Sequence, residues 1–355
     1  MTNSTLEVES KDRDGNSTWK PVANLGNTVS SSVSSNQQEP LTADNADKTK
    51  EKYPHRKNLP MRVKHFLSPN ATIKVHRKAN YLYRHSSDKI DTNLLILLHG
   101  AGDSHQAYHA FAKKMNLPQC ATLSLHASSI NKGFVTLPFD LGYTWFEEMD
   151  YTTGEDLKKG DDRIFSSLDK AIHHLDTLID LLSGIEKADD DDSDYWIPER
   201  IFLFGFSAGA SLAMETCLYR FIHGKQALGG ALCVCGGLQH GRNEQEICHD
   251  DGAICATPVK IMVGGDDTKF SVEDSRVSIA NYNHYAFCEN AQRMTNAGQL
   301  TGATSFVKPF KGHSMIQDEE ETRVLMGFFA EYMVRRMTAM EGFCEIPSEQ
   351  FQTSK

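Results

Sequence analysis

Short apolar runs alternate with stretches of helical periodicity over most of this chain. Leu94-Leu-Ile-Leu-Leu98 has the continuity of a strand buried on both faces, and Cys120–Leu125, Ile201–Phe204, Leu228–Val234, Val259–Val263 and Ala303–Phe310 read as further strands. Between them lie helical patterns. Ile164, Leu168, Ile172, Leu175, Leu178, Ile179 and Leu182 recur at helical spacing over 161–183, which predicts one long amphipathic helix. Further helices are expected over 104–115, from Ser207 to about Tyr219, over 285–297 and over 319–336. Strand–helix alternation of this kind implies a mostly parallel central sheet with helices on both faces. Thr72–His76 and Asn80–Tyr83 are expected to add an antiparallel edge. No internal repeat interrupts the pattern, so the body reads as one α/β domain over 59–340.

Both ends depart from this pattern. Residues 1–58 are rich in Ser, Asn, Asp, Glu and Lys, and too poor in large apolar residues to offset the entropy of ordering. They are expected to form a disordered tail, and 341–355 a short polar one. The first residues contain no apolar leader and carry acids early, and no run of 18 apolar residues occurs. A cytoplasmic chain without a transmembrane segment is therefore expected. The net charge of −10 disfavours nucleic acid or an anionic membrane as a partner. Eight cysteines form no C-x-x-C pair and several sit in apolar runs, which suits buried free thiols in a reducing compartment. Cys248, His249 and Cys255 come nearest to a metal-type cluster, but their spacing is loose, and no metal site is expected from them.

Candidate chemistry centres on Gly205-Phe-Ser-Ala-Gly209. It fits G-x-S-x-G, follows the strand Ile201–Phe204 and opens a helix. A sharp strand-to-helix turn leaves no room for side chains two residues either side of the serine, so glycine is needed there. This turn is the nucleophile elbow of the α/β-hydrolase fold, and it marks Ser207 as nucleophile. A serine hydroxyl needs a base and an acid to orient that base, which follow it in the order Asp or Glu, then His. His313, in Lys311-Gly-His-Ser314, is the only histidine after the sixth strand. Val263-Gly-Gly-Asp-Asp267 follows the fifth; its register points to Asp267, with Asp266 as the alternative. His99-Gly-Ala-Gly-Asp103 follows the first strand, and its small residues free backbone N–H groups to face a reacting centre. The N–H groups of Ala101 and Ala208 are the expected oxyanion hole.

Together these segments resemble the phospholipase/carboxylesterase family that includes the acyl-protein thioesterases. The resemblance runs through Leu97-Leu-His-Gly-Ala-Gly-Asp-Ser104, Leu125-His-Ala127, Trp145-Phe146, Gly205-Phe-Ser-Ala-Gly-Ala210, Asp267 and Gly312-His313. Ala101 stands where the family has Leu, Leu125 where it has Pro, Glu147 where it has Asp, Ala208 where it has Gln, and Ala210 where it has Gly. The two hole positions donate through the backbone, so the chemistry tolerates these changes. The resemblance implies a serine hydrolase acting on esters or thioesters of small molecules, lysolipids or acylated proteins, without cofactor. Val135, Leu137, Pro138, Phe139 and Leu141 could line an acyl groove or simply pack. The competing expectation is a protein of the same fold that binds a ligand or partner without turnover.

Overall fold

The structure, a computed structural model, describes residues 7–11, 17–21, 55–68, 80–127, 135–137, 142–150, 152–185, 194–239, 257–286 and 302–336. The chain divides into two units, Met1–Lys48 and Thr49–Lys355. In the first, β1 (Glu7–Lys11) pairs antiparallel with β2 (Ser17–Pro21). Val8, Thr18 and Trp19 in these strands are β-favouring residues.

In the second unit, the first described residues are already bonded to later parts of the chain. The Lys57 amide donates to Asp91 at 2.9 Å and the Asn58 amide to Asp194 at 3.0 Å. The helix α1 (Met61–Leu67) follows. A seven-stranded sheet then forms from β3 (Tyr81–Arg84), β4 (Asn93–Leu98), β5 (Cys120–Leu125), β8 (Ile201–Phe206), β9 (Gly230–Val234), β10 (Val259–Gly264) and β11 (Ala303–Lys308). Its spatial order is β11-β10-β9-β8-β4-β5-β3. Only β3 runs antiparallel, on β5, which bears out the later half of the predicted edge; Thr72–His76 lies outside the described residues. A small separate pair joins β6 (Val135–Thr136) to β7 (Tyr143–Thr144).

The apolar strands are buried on both faces because successive side chains enter different cores. Leu94, Ile96 and Leu98 join Ile201 and Leu203 on one face, with α3 (Asp162–Ser183) and α4 (Ala208–Ile222). Leu95 and Leu97 join Phe202 and Phe204 on the other, with α2 (His105–Met115) and α6 (Glu319–Tyr332). The long helix α3 follows its predicted periodicity. Asp161 caps its first turn by accepting from the Arg163 amide, and Gly184 at φ +65° ends it.

One helix lies largely where none was expected. The periodicity suggested 285–297, whereas α5 spans Val272–Ala286, and 287–297 lies outside the described residues. The buried face of α5 consists of Ser275, Ser278 and Tyr282, so the hydrophobic signal is muted. Its start was readable as Ser271-x-x-Asp274. The Asp274 carboxylate accepts from the Ser271 amide at 2.9 Å, and Ser271 Oγ accepts from the Asp274 amide at 3.1 Å.

Two polar devices lock the layers. Arg220 of α4, 0 % exposed, donates to Asp176 and Asp180 of α3, and Lys225 closes the same cluster. Behind β4, the buried His99 ring donates from Nδ1 to the Gly100 carbonyl at 2.7 Å and accepts from the Ala127 amide at Nε2 at 3.0 Å. Trp145 Nε1 donates to the His99 carbonyl at 2.6 Å. These bonds tie the loop after β4 to the ends of two neighbouring segments. They also require neutral imidazole, and burial pushes the His99 pKa down to about 4.

Arg220→Ala removes two charge-assisted hydrogen bonds and leaves Asp176 and Asp180 to Lys225 alone, and is expected to lower the unfolding free energy by about 1.5–3 kcal/mol. Arg323→Ala, at an exposed pair with Glu319, should change it by less than about 1 kcal/mol in the same denaturant titration. For His99, the folded state binds fewer protons than the unfolded state between about pH 4 and the ordinary 6.5. Its contribution is fully present above 6.5 and is lost as pH falls toward 4, by up to about 3 kcal/mol. Denaturation across that window should show this acid limb, and His99→Asn should flatten it.

Candidate active site

β4 and β8 are neighbours, with Leu98 opposite Gly205, and the strands on either side of this pair are wound in opposite directions along the sheet. Such a switch point opens a crevice at the carboxyl ends of the strands. Ser207 stands there, between the end of β8 and the start of α4, with φ +52° and ψ −121°. That left-handed backbone is costly for a residue with a Cβ, and the turn around it leaves no alternative. A Cβ on Gly205 would lie 2.2 Å from the Gly209 carbonyl oxygen, and one on Gly209 would lie 2.4 Å from that of Leu98. Both glycines of the motif are thus fixed by close backbone approach. The Ser207 amide donates to the Val234 carbonyl at 2.9 Å, holding the turn against β9.

Three side chains from separate loops meet in series. Ser207 Oγ lies 2.9 Å from His313 Nε2, and His313 Nδ1 lies 2.9 Å and 3.0 Å from the two carboxylate oxygens of Asp267. Asp267 is buried and also accepts from the Lys269 and Phe270 amides at 2.9 Å each. Asp266 is exposed, and its amide instead donates to the Lys311 carbonyl. Burial and direction therefore separate the two adjacent acids. Phe206 packs its ring against that of His313, with centroids 5.2 Å apart. A hydroxyl, imidazole and carboxylate in this order can move a proton from Oγ to Nε2 while the carboxylate holds the resulting imidazolium.

Ala208 begins α4, where the first amides have no partner within the helix. Among the described residues, neither its N–H nor that of Ala101 meets an acceptor, whereas the next two amides of the β4 loop, Gly102 and Asp103, donate to Tyr143 and Gly100. The Trp145 and His99 clasp fixes the loop that carries Ala101. The acyl-groove candidates Pro138, Phe139 and Leu141 lie outside the described residues, as do Cys248, His249 and Cys255.

Two supports were not foreseen. Lys311 and Glu321, both buried, form an ion pair that ties the His313 loop to α6, and Glu321 also accepts from the Gln317 amide at 2.9 Å. The sequence offers no periodic signal for that pair. The second is Cys235, just past β9 with φ +52°. Its thiol is buried beside Asp267 and His313, and burial pushes its pKa up to about 12.

Comparison with known proteins agrees with this architecture. An uncharacterised hydrolase of Schizosaccharomyces pombe is 32% identical over 158 residues, 42% of this chain; the chain spans about half of that relative's length, 55%. An uncharacterised hydrolase of Mycosarcoma maydis is 25% identical over 250 residues, 68% of this chain and 84% of that one. The crystal structure of esterase PE8 shares the fold with a TM-score of 0.51 at 18% identity, over 71% of this chain and 97% of that one. A family model described as Phospholipase/Carboxylesterase matches residues 82–295, more than half of the chain and both sides of the Ser207 turn. With the parallel sheet and its strand-to-helix serine turn already established, this match makes the chain a member of the phospholipase/carboxylesterase family of hydrolases.

Proposed function

We propose that the protein is a serine hydrolase that cleaves carboxylic esters or thioesters through an acyl-enzyme. The observation that carries this reading is the unbroken series from Ser207 Oγ through His313 to buried Asp267, at 2.9 Å per step. Its other support is membership of a family of hydrolases.

His313 Nε2 takes the Ser207 proton as Oγ attacks the acyl carbonyl. Asp267 keeps the imidazole in the tautomer whose Nε2 lone pair faces the hydroxyl. The amides of Ala101 and Ala208 receive the oxyanion, a contribution worth about 10²–10³ in rate per donor in comparable sites. His313 then protonates the departing alcohol or thiol. Water, deprotonated by the same imidazole, releases the acid and restores Ser207. The substrate class follows from this chemistry as acyl esters and thioesters of small molecules, lysolipids or acylated proteins. A reducing, cytoplasmic setting is part of the proposal, supported by the free buried cysteines Cys120, Cys217, Cys233 and Cys235.

Fluorophosphonate labelling should mark the wild type and be abolished in Ser207→Ala. Turnover of a panel of short-chain esters and palmitoyl-thioesters should fall about 10⁴-fold in Asp267→Asn. Asp266→Asn should retain wild-type turnover within about twofold, because an exposed acid outside the proton path contributes little. A wild type inert to both label and panel would identify a binding protein that keeps the fold without turnover.

A further inference from the structure

We propose that Cys235, Asp267 and His313 form a zinc site whose occupation switches the hydrolase off. One donor atom from each of these side chains lies within 4.8 Å of the others. Tetrahedral zinc holds nitrogen and oxygen at about 2.0–2.2 Å and thiolate sulfur at about 2.3 Å, which sets separations of roughly 3.3–3.5 Å between nitrogen and oxygen and roughly 3.5–3.7 Å from either to sulfur. His313 Nδ1 and an Asp267 oxygen, now 2.9 Å apart across a hydrogen bond, need open by only a few tenths of an ångström. Cys235 supplies the third corner from a constrained position. Its φ is +52°, and its amide donates to the Met262 carbonyl at 2.8 Å.

The ligand chemistry suits one class of ion. A thiolate with an imidazole selects zinc over magnesium or calcium, which prefer all-oxygen shells. Thiolate and carboxylate together cancel the charge of Zn²⁺, so the buried complex is neutral overall. That removes much of the desolvation cost of placing an ion under the loop. Three protein ligands leave a fourth position for water.

Binding forms bonds from zinc to Cys235 Sγ, His313 Nδ1 and an Asp267 oxygen. The thiol proton goes to solvent. The imidazole proton moves from Nδ1 to Nε2, so the ring stays neutral. Nε2–H then faces Ser207 Oγ as a donor, and no lone pair remains there to accept the serine proton. The metal thus inhibits by fixing the wrong tautomer, and Asp267 ceases to orient the base. Inhibition rests on the hydrolase reading above, whereas capture of the metal does not.

The test uses the full chain in two measurements. Zinc chloride is titrated against ester turnover for the wild type, Cys235→Ala and Cys235→Ser, with magnesium chloride as control. Loss of a ligand should raise the inhibitory zinc concentration by roughly 100-fold or more, since even outer-shell partners are worth 10–100-fold. Magnesium should have no effect. Independently, cobalt(II) added to Ser207→Ala should give a thiolate-to-cobalt charge-transfer absorption that vanishes in Ser207→Ala/Cys235→Ala. Equal zinc sensitivity in the Cys235 variants, or a cobalt band that survives loss of Cys235, overturns the site. An active wild type with neither zinc inhibition nor a cobalt band also overturns it and leaves the hydrolase reading intact. A cobalt band in a chain without turnover supports the site while the hydrolase reading fails.

Discussion

The first turn of α4 meets the ends of β4 and β8 backbone against backbone. Gly209 approaches the Leu98 carbonyl, and Gly205 approaches Gly209, too closely for any side chain. This contact has two effects. It forces Ser207 into a left-handed conformation that lifts the hydroxyl out of the sheet. It also brings the helix start, with an Ala208 amide that meets no acceptor among the described residues, beside the loop that carries Ala101. Hydroxyl and donors share one cause, so they cannot be repositioned separately. The strain at Ser207 is held by the two cores on either side of the sheet, where the β4 side chains and those of β8 from Ile201 to Phe204 are buried.

The other members of the site are held by polar bonds. Asp267 is fixed by two amides of its own loop, and the His313 loop is fastened to α6 by the buried Lys311–Glu321 pair. An ion pair in such a place contributes more to position than to stability, because desolvation offsets most of its attraction. The clasp of His99, Ala127 and Trp145 does the same for the loop that carries Ala101 using only neutral groups. The loops around the candidate site thus gain their rigidity, on an otherwise apolar scaffold, from a few buried polar contacts, each of which commits one partner's protonation state.

Much of this was legible in the sequence, for identifiable reasons. Strands buried on both faces leave unbroken apolar runs, and the runs at Leu94 and Ile201 were recognisable on that ground alone. The Ser207 turn was legible because its geometry excludes all but glycine at two positions. His313 followed from chain order. Register favoured Asp267 but left Asp266 as an alternative, since adjacent residues share a loop and differ only in which way they face. α5 escaped because its inward face is serine and tyrosine, and the periodicity method reads hydrophobicity rather than size. Cys235 and the Lys311–Glu321 pair were invisible for another reason. Their roles depend on which strands lie side by side, and the order of strands is not written in the local pattern.

That strand order also bears on when the site comes into being. Ser207 and His313 are 106 residues apart in sequence, and β4 must wait for β8, a long crossover away, to become its neighbour. Contacts of such separation form late in folding, after the entropy of closing large loops has been met. A nascent chain that has exposed the serine turn but not yet the segment after β11 holds Ser207 without the imidazole that faces it. Assembly of the three side chains is thereby tied to completion of the sheet, and a fragment ending before His313 would lack the constellation however well its early strands had paired.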